Sequence, residues 1–392
     1  MMSIYLRKRV RFQKKTIRQI PVWEKEYYKA QKFIFQGKYK KAITIYQRII
    51  KKYPEDKRSE YLKDKYLLFQ IGLCYEELYQ FLDASKLYLE LIKKYQEDDN
   101  FIKQVKYRCE FLEKYKLVEI EEKRKEEKIS EVDYLIKVGY AFMQDGKENA
   151  MELIEKAFKL DPENPEALLR WGEICDIEGN NILHYNDCVG GEEYVRGQLY
   201  KENARSMFKK VIMEYPNSKF VDEAQHLLGC HYCDSIFLND NDYYEAIKEF
   251  EILLKKYHKS KFALKAQYKI AKCYEMLEDY QQAFKEYKKT IEKFPAIDEA
   301  ITARRSLGYL YIKMKNYEKA LVQFREIINN FPEAEEARLA LLDIAYVYEN
   351  FLKDYHKAIE IYEIYLDNYE TDREIDREFI KQHLKELKKY IR

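Results

Sequence analysis

Cysteine, histidine and carboxylate side chains at short spacing are the raw material of metal and redox sites. One stretch concentrates them: GCHYCDS, residues 229–235. Cys230 and Cys233 stand in C-x2-C spacing, with His231 between them and His226 one helical turn upstream. On a helix, residues i, i+4 and i+7 share a face, so His226, Cys230 and Cys233 point the same way. Three such ligands could begin a tetrahedral zinc site, and His184 and Cys188 are candidates to complete it from the stretch ahead. A thioredoxin-like role needs a strand before the motif and a helix starting at it. Haem attachment needs His after the second Cys, where Asp234 stands. The expectation is ordinary helix thiols and no cofactor, with a zinc-linked loop or a redox pair as the alternatives. Catalytic residues are not assigned: no glycine-rich phosphate loop, H-E-x-x-H or strand-to-helix nucleophile elbow occurs, and the chain is expected not to be an enzyme.

The elements that must position these side chains are helices. Among 392 residues only 11 are Gly and 7 Pro, while 36% are charged, a balance that suits helices. A net charge of +2 gives no global attraction to nucleic acid. The 38 tyrosines supply rings that pack and hydroxyls that face a partner. No apolar run reaches signal-peptide or membrane-spanning length. Seven scattered cysteines do not form a disulfide framework, so a cytoplasmic location is expected.

Internal repetition decides the fold class. GKYKKAITIYQRIIKKYP (37–54), EDYQQAFKEYKKTIEKFP (278–295) and KNYEKALVQFREIINNFP (315–332) share a turn, an aromatic, an Ala, a second aromatic and a closing Pro. The Ala recurs at 42, 84, 150, 204, 246, 283, 320 and 358, followed four residues later by Tyr46, Tyr88, Ile154, Phe208, Phe250, Tyr287, Phe324 and Tyr362. Ahead of it lies another helical segment with a small residue three before an aromatic, as in Gly72/Tyr75, Ala271/Tyr274 and Gly308/Tyr311. Small residues let two antiparallel helices approach closely and the rings fill the space beside the crossing.

This pattern resembles the tetratricopeptide repeat family, in eight units over most of residues 23–370. EYPNSKFVDEAQHLLG (214–229) is most similar to the subgroup found in bacterial envelope-assembly and division-coordination proteins. The resemblance implies an all-α, right-handed α-solenoid. It also implies a concave groove lined by the first helix of each hairpin, which here would carry His226, Cys230, Cys233, Tyr268, Lys272, Arg305, Tyr309 and Tyr346. Glu173 and Asp176 would make the groove acidic ahead of the thiols.

The expected organisation is a basic segment over 1–22, units one and two over 23–100, one long linker helix over 101–132, units three to eight over 133–371 and a capping helix over 372–392. The fourth unit carries an insertion, residues 180–199, read as a loop around Gly190 and Gly191, and five further residues extend the fifth unit's turn near 235–244. The expected function is a non-catalytic scaffold or adaptor that binds a partner peptide or helix in the concave groove, within a larger assembly and without nucleic acid. Two other readings stay open: an assembly factor held at a membrane surface by residues 1–20, which hold seven Lys or Arg and no acid, and a metal-binding or redox accessory protein built on Cys230 and Cys233.

Overall fold

The computed structural model describes residues 21–53, 55, 58, 63–147, 149–185, 191–234, 240–293, 298–368 and 374–389. The basic segment before residue 21 lies outside them, as do Cys188 and the tip of the insertion. Among the described residues there are nineteen α-helices and no strand, and the fold is an all-α solenoid. The chain divides into two compact units, Met1–Asp161 and Pro162–Arg392, so the boundary follows the third hairpin and does not fall at 101–132.

In the first unit, α1 (Val22–Phe35) and α2 (Tyr39–Lys52) form the first hairpin, and α3 (Asp64–Glu77) and α4 (Phe81–Lys94) the second. Then come α5 (Asp99–Lys114) and α6 (Leu117–Lys125), before α7 (Glu131–Gln144) and α8 (Ala150–Leu160) make the third hairpin. The single long helix expected over 101–132 is therefore two helices. Phe101, Val105, Arg108 and Leu112 form one buried stripe of α5. Leu117, the next buried apolar residue, stands five positions on and about 140° away around a continuous helix. Lys116 resolves the conflict by adopting the left-handed conformation, φ 52°, which re-aims α6 so that Leu117 and Ile120 are buried. Residues 122–128 are exposed, as their charges dictate.

The second unit continues with α9 (Pro165–Tyr185) and α10 (Glu192–Glu214), α11 (Val221–Cys233) and α12 (Asp240–Lys256), α13 (Ala263–Met276) and α14 (Tyr280–Lys293). The last hairpins are α15 (Asp298–Lys313) with α16 (Tyr317–Asn330), and α17 (Glu335–Val347) with α18 (Tyr355–Asn368). A π-helical turn, Tyr348–Leu352, extends α17. The closing helix α19 (Glu374–Leu387) buries Ile380, Leu384 and Leu387 in the core of the eighth hairpin.

Within the insertion, residues 180–185 and 192–199 are helical where a loop was expected. They lengthen both arms of one hairpin, giving helices of 21 and 23 residues beside a neighbour of 13. Gly179 and Gly197 face the opposite arm: a Cβ on Gly197 would come 2.9 Å from Leu183 Cγ, and one on Gly179 would come 3.0 Å from the Gly197 carbonyl oxygen. The arms therefore pack to their described ends, and Gly191 is the residue that starts α10.

Each hairpin crosses where the repeat pattern places its small residue. A Cβ on Gly229 would come 2.5 Å from Phe250, one on Gly139 2.7 Å from Ile154, and one on Gly172 2.9 Å from Phe208. Ala42, Ala84, Ala204, Ala246, Ala283, Ala320 and Ala358 are fully buried on the opposing helix. Several hairpin turns need one left-handed residue, supplied by Gly37 and Gly146 but also by Tyr79, Glu278, Lys315 and Lys353.

Candidate functional site

The first helices of successive hairpins are tied to one another by polar side chains, and one register position organises the ties. Four residues after the small residue stands a carboxylate: Glu76 after Gly72, Asp176 after Gly172, Glu275 after Ala271, Glu349 after Ala345. Where the facing aromatic is Tyr, its hydroxyl donates to that carboxylate: Tyr88 to Glu76 and Tyr287 to Glu275, both at 2.7 Å, and Tyr362 to Glu349 at 3.1 Å. Each carboxylate also meets a cationic or imidazole group from a neighbouring helix. Arg108 and Lys147 reach Glu76, Lys201 and His231 reach Asp176, Lys313 reaches Glu275 and His383 reaches Glu349. Glu76 is fully buried. Burial opposes its charge, but the Arg108 guanidinium and Lys147 outweigh that and hold its carboxyl below the ordinary range.

In the fifth hairpin the same register position is Cys233. His226 and Cys230 do share its face, with Cys230 Sγ 3.6 Å from His226 Nε2. The face is a seam against α13 and not open groove. His226 is buried at 8% exposure and its ring stacks on Phe262, centroids 4.9 Å apart. Burial, then the positive charges of Lys269 and Lys265, press its pKa down to about 4. The buried Cys273 of α13 belongs to the core against which Cys230 and Cys233 pack, a neighbour that linear spacing did not reveal. The Cys233 thiol donates to Asp234 Oδ1 at 3.3 Å, and Lys269 Nζ donates to the same carboxylate at 2.7 and 2.9 Å.

Among the described residues, no group of three or more His, Cys, Asp or Glu side chains is arranged to hold a metal ion. His184 is exposed near the end of α9. Its proposed companion Cys188 lies outside the described residues.

The other groove candidates are largely engaged by their own chain. Arg305 Nε donates to Asp343 at 2.5 Å and Tyr309 also hydrogen-bonds to Asp343, joining α15 to α17. Tyr268 lies 3.4 Å from Ser306 across α13 and α15, and Lys272 donates to Glu275. Tyr346 is the ring left outward, 46% exposed and edge-on to Phe351. The acidity expected ahead of the thiols is neutralised: Arg170 bridges Glu173 and Glu223, and Asp176 is held by Lys201 and His231.

A family model described as tetratricopeptide repeat matches residues 27–56, 66–98, 265–296, 306–334 and 339–371. The stretches fall on the first, second, sixth, seventh and eighth hairpins. The chain is a tetratricopeptide-repeat protein. No protein of curated function matches it. Similar solved structures of tetratricopeptide-repeat type include the C-terminal part of a repeat protein from Cytophaga hutchinsonii, 16% identical, covering 80% of this chain and 99% of that one with a TM-score of 0.37. Another is a tetratricopeptide repeat protein from Parabacteroides merdae, 13% identical, covering 93% and 98%, TM-score 0.34. Yeast Tom70 is 14% identical, covering 88% and 76%, TM-score 0.42.

In this tetratricopeptide-repeat protein, a sequence signal for the missed network was present. Tyr at the second-helix aromatic position goes with Glu four residues after the small one at 76/88, 275/287 and 349/362. A buried hydroxyl needs a partner, and the Glu it recruits needs a cation.

Proposed function

We propose that the chain is a non-catalytic scaffold that holds an extended peptide or helix of a partner protein along the first helices of residues 162–392. The tetratricopeptide-repeat fold is a protein-interaction scaffold, and the reading places the interaction at Tyr268, Lys272, Arg305, Tyr309 and Tyr346. The observation that carries it is the bracing of these side chains between hairpins. Arg305 and Tyr309 are fixed by Asp343, and Tyr268 by Ser306. A side chain already fixed by its own fold loses little rotamer freedom when a partner arrives, and Tyr and Arg are the residue types that anchor interfaces. Asp343 is itself buried, so removing Arg305 would unbalance the fold as well as the surface. Tyr346, whose hydroxyl has no such duty, is the cleaner probe.

The test replaces Tyr346 with a photo-crosslinking phenylalanine analogue, with Tyr244, 58% exposed on the second helix α12, as control. Crosslinking of a defined partner from position 346 and not from 244 is expected. Equal crosslinking from both positions, or none from 346, overturns the reading.

A further inference from the structure

We infer that α1 is a membrane-surface helix. Its outward face fits the headgroup layer of an anionic phospholipid bilayer, with lysines at the phosphates and three apolar side chains reaching below them.

The two sides of α1 differ in an unusual way. One side buries Ala30 and packs Trp23, Tyr27, Phe33 and Ile34 into the core shared with α2 and α3. Opposite stand Val22, Lys25, Tyr28, Lys29, Lys32 and Phe35, within about 140° of arc at the helical repeat. All six are exposed. The outer face of a helix packed on a core is ordinarily polar. This one turns outward Val22 at 59%, Tyr28 at 53% and Phe35 at 90% exposure, spread along about 20 Å of helix.

Charge identifies what covers the face. Residues 21–53 hold nine Lys or Arg against two acids, Glu24 and Glu26, in a chain whose net charge is +2. Both acids are engaged within the hairpin: Glu24 accepts from the Tyr28 hydroxyl at 3.4 Å, and Glu26 lies 3.8 Å from Arg48. Lys38, Lys40 and Lys41, just past Phe35 at the tip of the hairpin, are exposed as well. A patch of one sign selects a partner of the other. Residues 1–20, with seven Lys or Arg and no acid, have the wrong sign to cover the stripe and add to its attraction for an anionic surface. A nucleic-acid backbone would match the lysines and leave Val22 and Phe35 in water. The interface of an anionic bilayer takes both, because lysine stems lie along apolar neighbours while the ammonium groups stay among the phosphates.

The test sediments the full chain with vesicles of phosphatidylcholine alone, or of phosphatidylcholine and phosphatidylglycerol in equal parts, at low and high salt. Binding is expected only to the anionic vesicles, and weaker at high salt. Lys25→Glu, Lys29→Glu and Lys32→Glu together are expected to weaken it by about a hundredfold, given the attraction of each lysine for an anionic leaflet. Phe35→Ser is expected to weaken it by about tenfold through lost apolar burial. Phe379→Ser, at an outward ring 71% exposed on α19, is expected to change nothing. No binding to anionic vesicles overturns the proposal. Binding that the lysine changes leave intact also overturns it and assigns the contact to residues 1–20. Phe35→Ser decides if the charge-reversed chain fails to fold; binding as tight as that of the unaltered chain removes the apolar contact and with it the bilayer. A DNA duplex run in parallel is expected to bind more weakly than the anionic vesicles, and tighter binding to it overturns the proposal in favour of nucleic acid.

Discussion

At the scale of single residues, His226 shows what burial does to a group that looked like a ligand. Free histidine titrates near 6.5; in this fold the ring titrates at about 4. Between those values the unfolded chain takes up a proton that the folded chain refuses, so stability falls as pH drops from 6.5 toward 4 and levels off below. The shift corresponds to about 3 kcal/mol at most. Urea denaturation at pH 7 and pH 4.5 should show that loss in the wild type and a smaller one in His226→Phe, which keeps a ring against Phe262. An unchanged pH dependence in the variant would assign the effect elsewhere. The sequence correctly put His226, Cys230 and Cys233 on one face, because helical spacing is local. It gave no hint of Cys273, forty residues from Cys233, because the contact is made by two helices that meet only when hairpins stack. Likewise Arg305 and Tyr309 read as free groove residues until Asp343, on the next first helix, was placed beside them.

At the scale of helices, α3, α5 and α7 are held by one ionic cluster. Arg108 spans Glu76 and Asp145, with Nη1 2.8 Å from Asp145 Oδ2, while Lys147 approaches Glu76 from the third hairpin at 3.1 Å. Its guanidinium also lies 4.4 Å from the Phe111 ring centroid. Removing one member of a buried set leaves its partners charged and dry. Arg108→Ala is expected to lower the unfolding free energy by about 3–5 kcal/mol, measured by chemical denaturation; a loss below about 1 kcal/mol would mean that Lys147 alone satisfies Glu76. The hairpins were legible because a small residue facing an aromatic, or Ile154 in the third, is a short-range pattern repeated eight times. The break in the linker was written in the apolar phase slip from Leu112 to Leu117, without a Gly or Pro to announce it. The insertion was misleading for the opposite reason: Gly190 and Gly191 announce a turn, yet the residues around them are compatible with helix, and packing against the other arm decides the matter.

At the scale of the molecule, residues 162–392 contain five hairpins that bury their faces on one another and a last helix that covers the final face. In such arrays stability comes from each repeat and its neighbours. A fragment comprising 162–392 is therefore expected to fold by itself, with helical circular dichroism and a cooperative thermal transition. A molten or aggregated fragment would show that it depends on residues 1–161. The scaffold fold was legible in the sequence because repetition multiplies a weak signal; the partner was not, because the residues that repeat are those that build the crossing, and the surface has no reason to repeat.

The long fourth hairpin carries a consequence for how such a chain changes length. Its two arms extend by similar amounts beyond the crossing of Gly172 and Phe208, and Leu183 lies over Gly197 higher up. Residues lost from one arm alone would slide it past the other and strand Leu183 without its glycine. Residues lost from both arms in equal whole turns would leave everything beneath in phase. The hairpin behaves as a telescoping mast, and length variants that survive should come in matched pairs of deletions on either side of its tip.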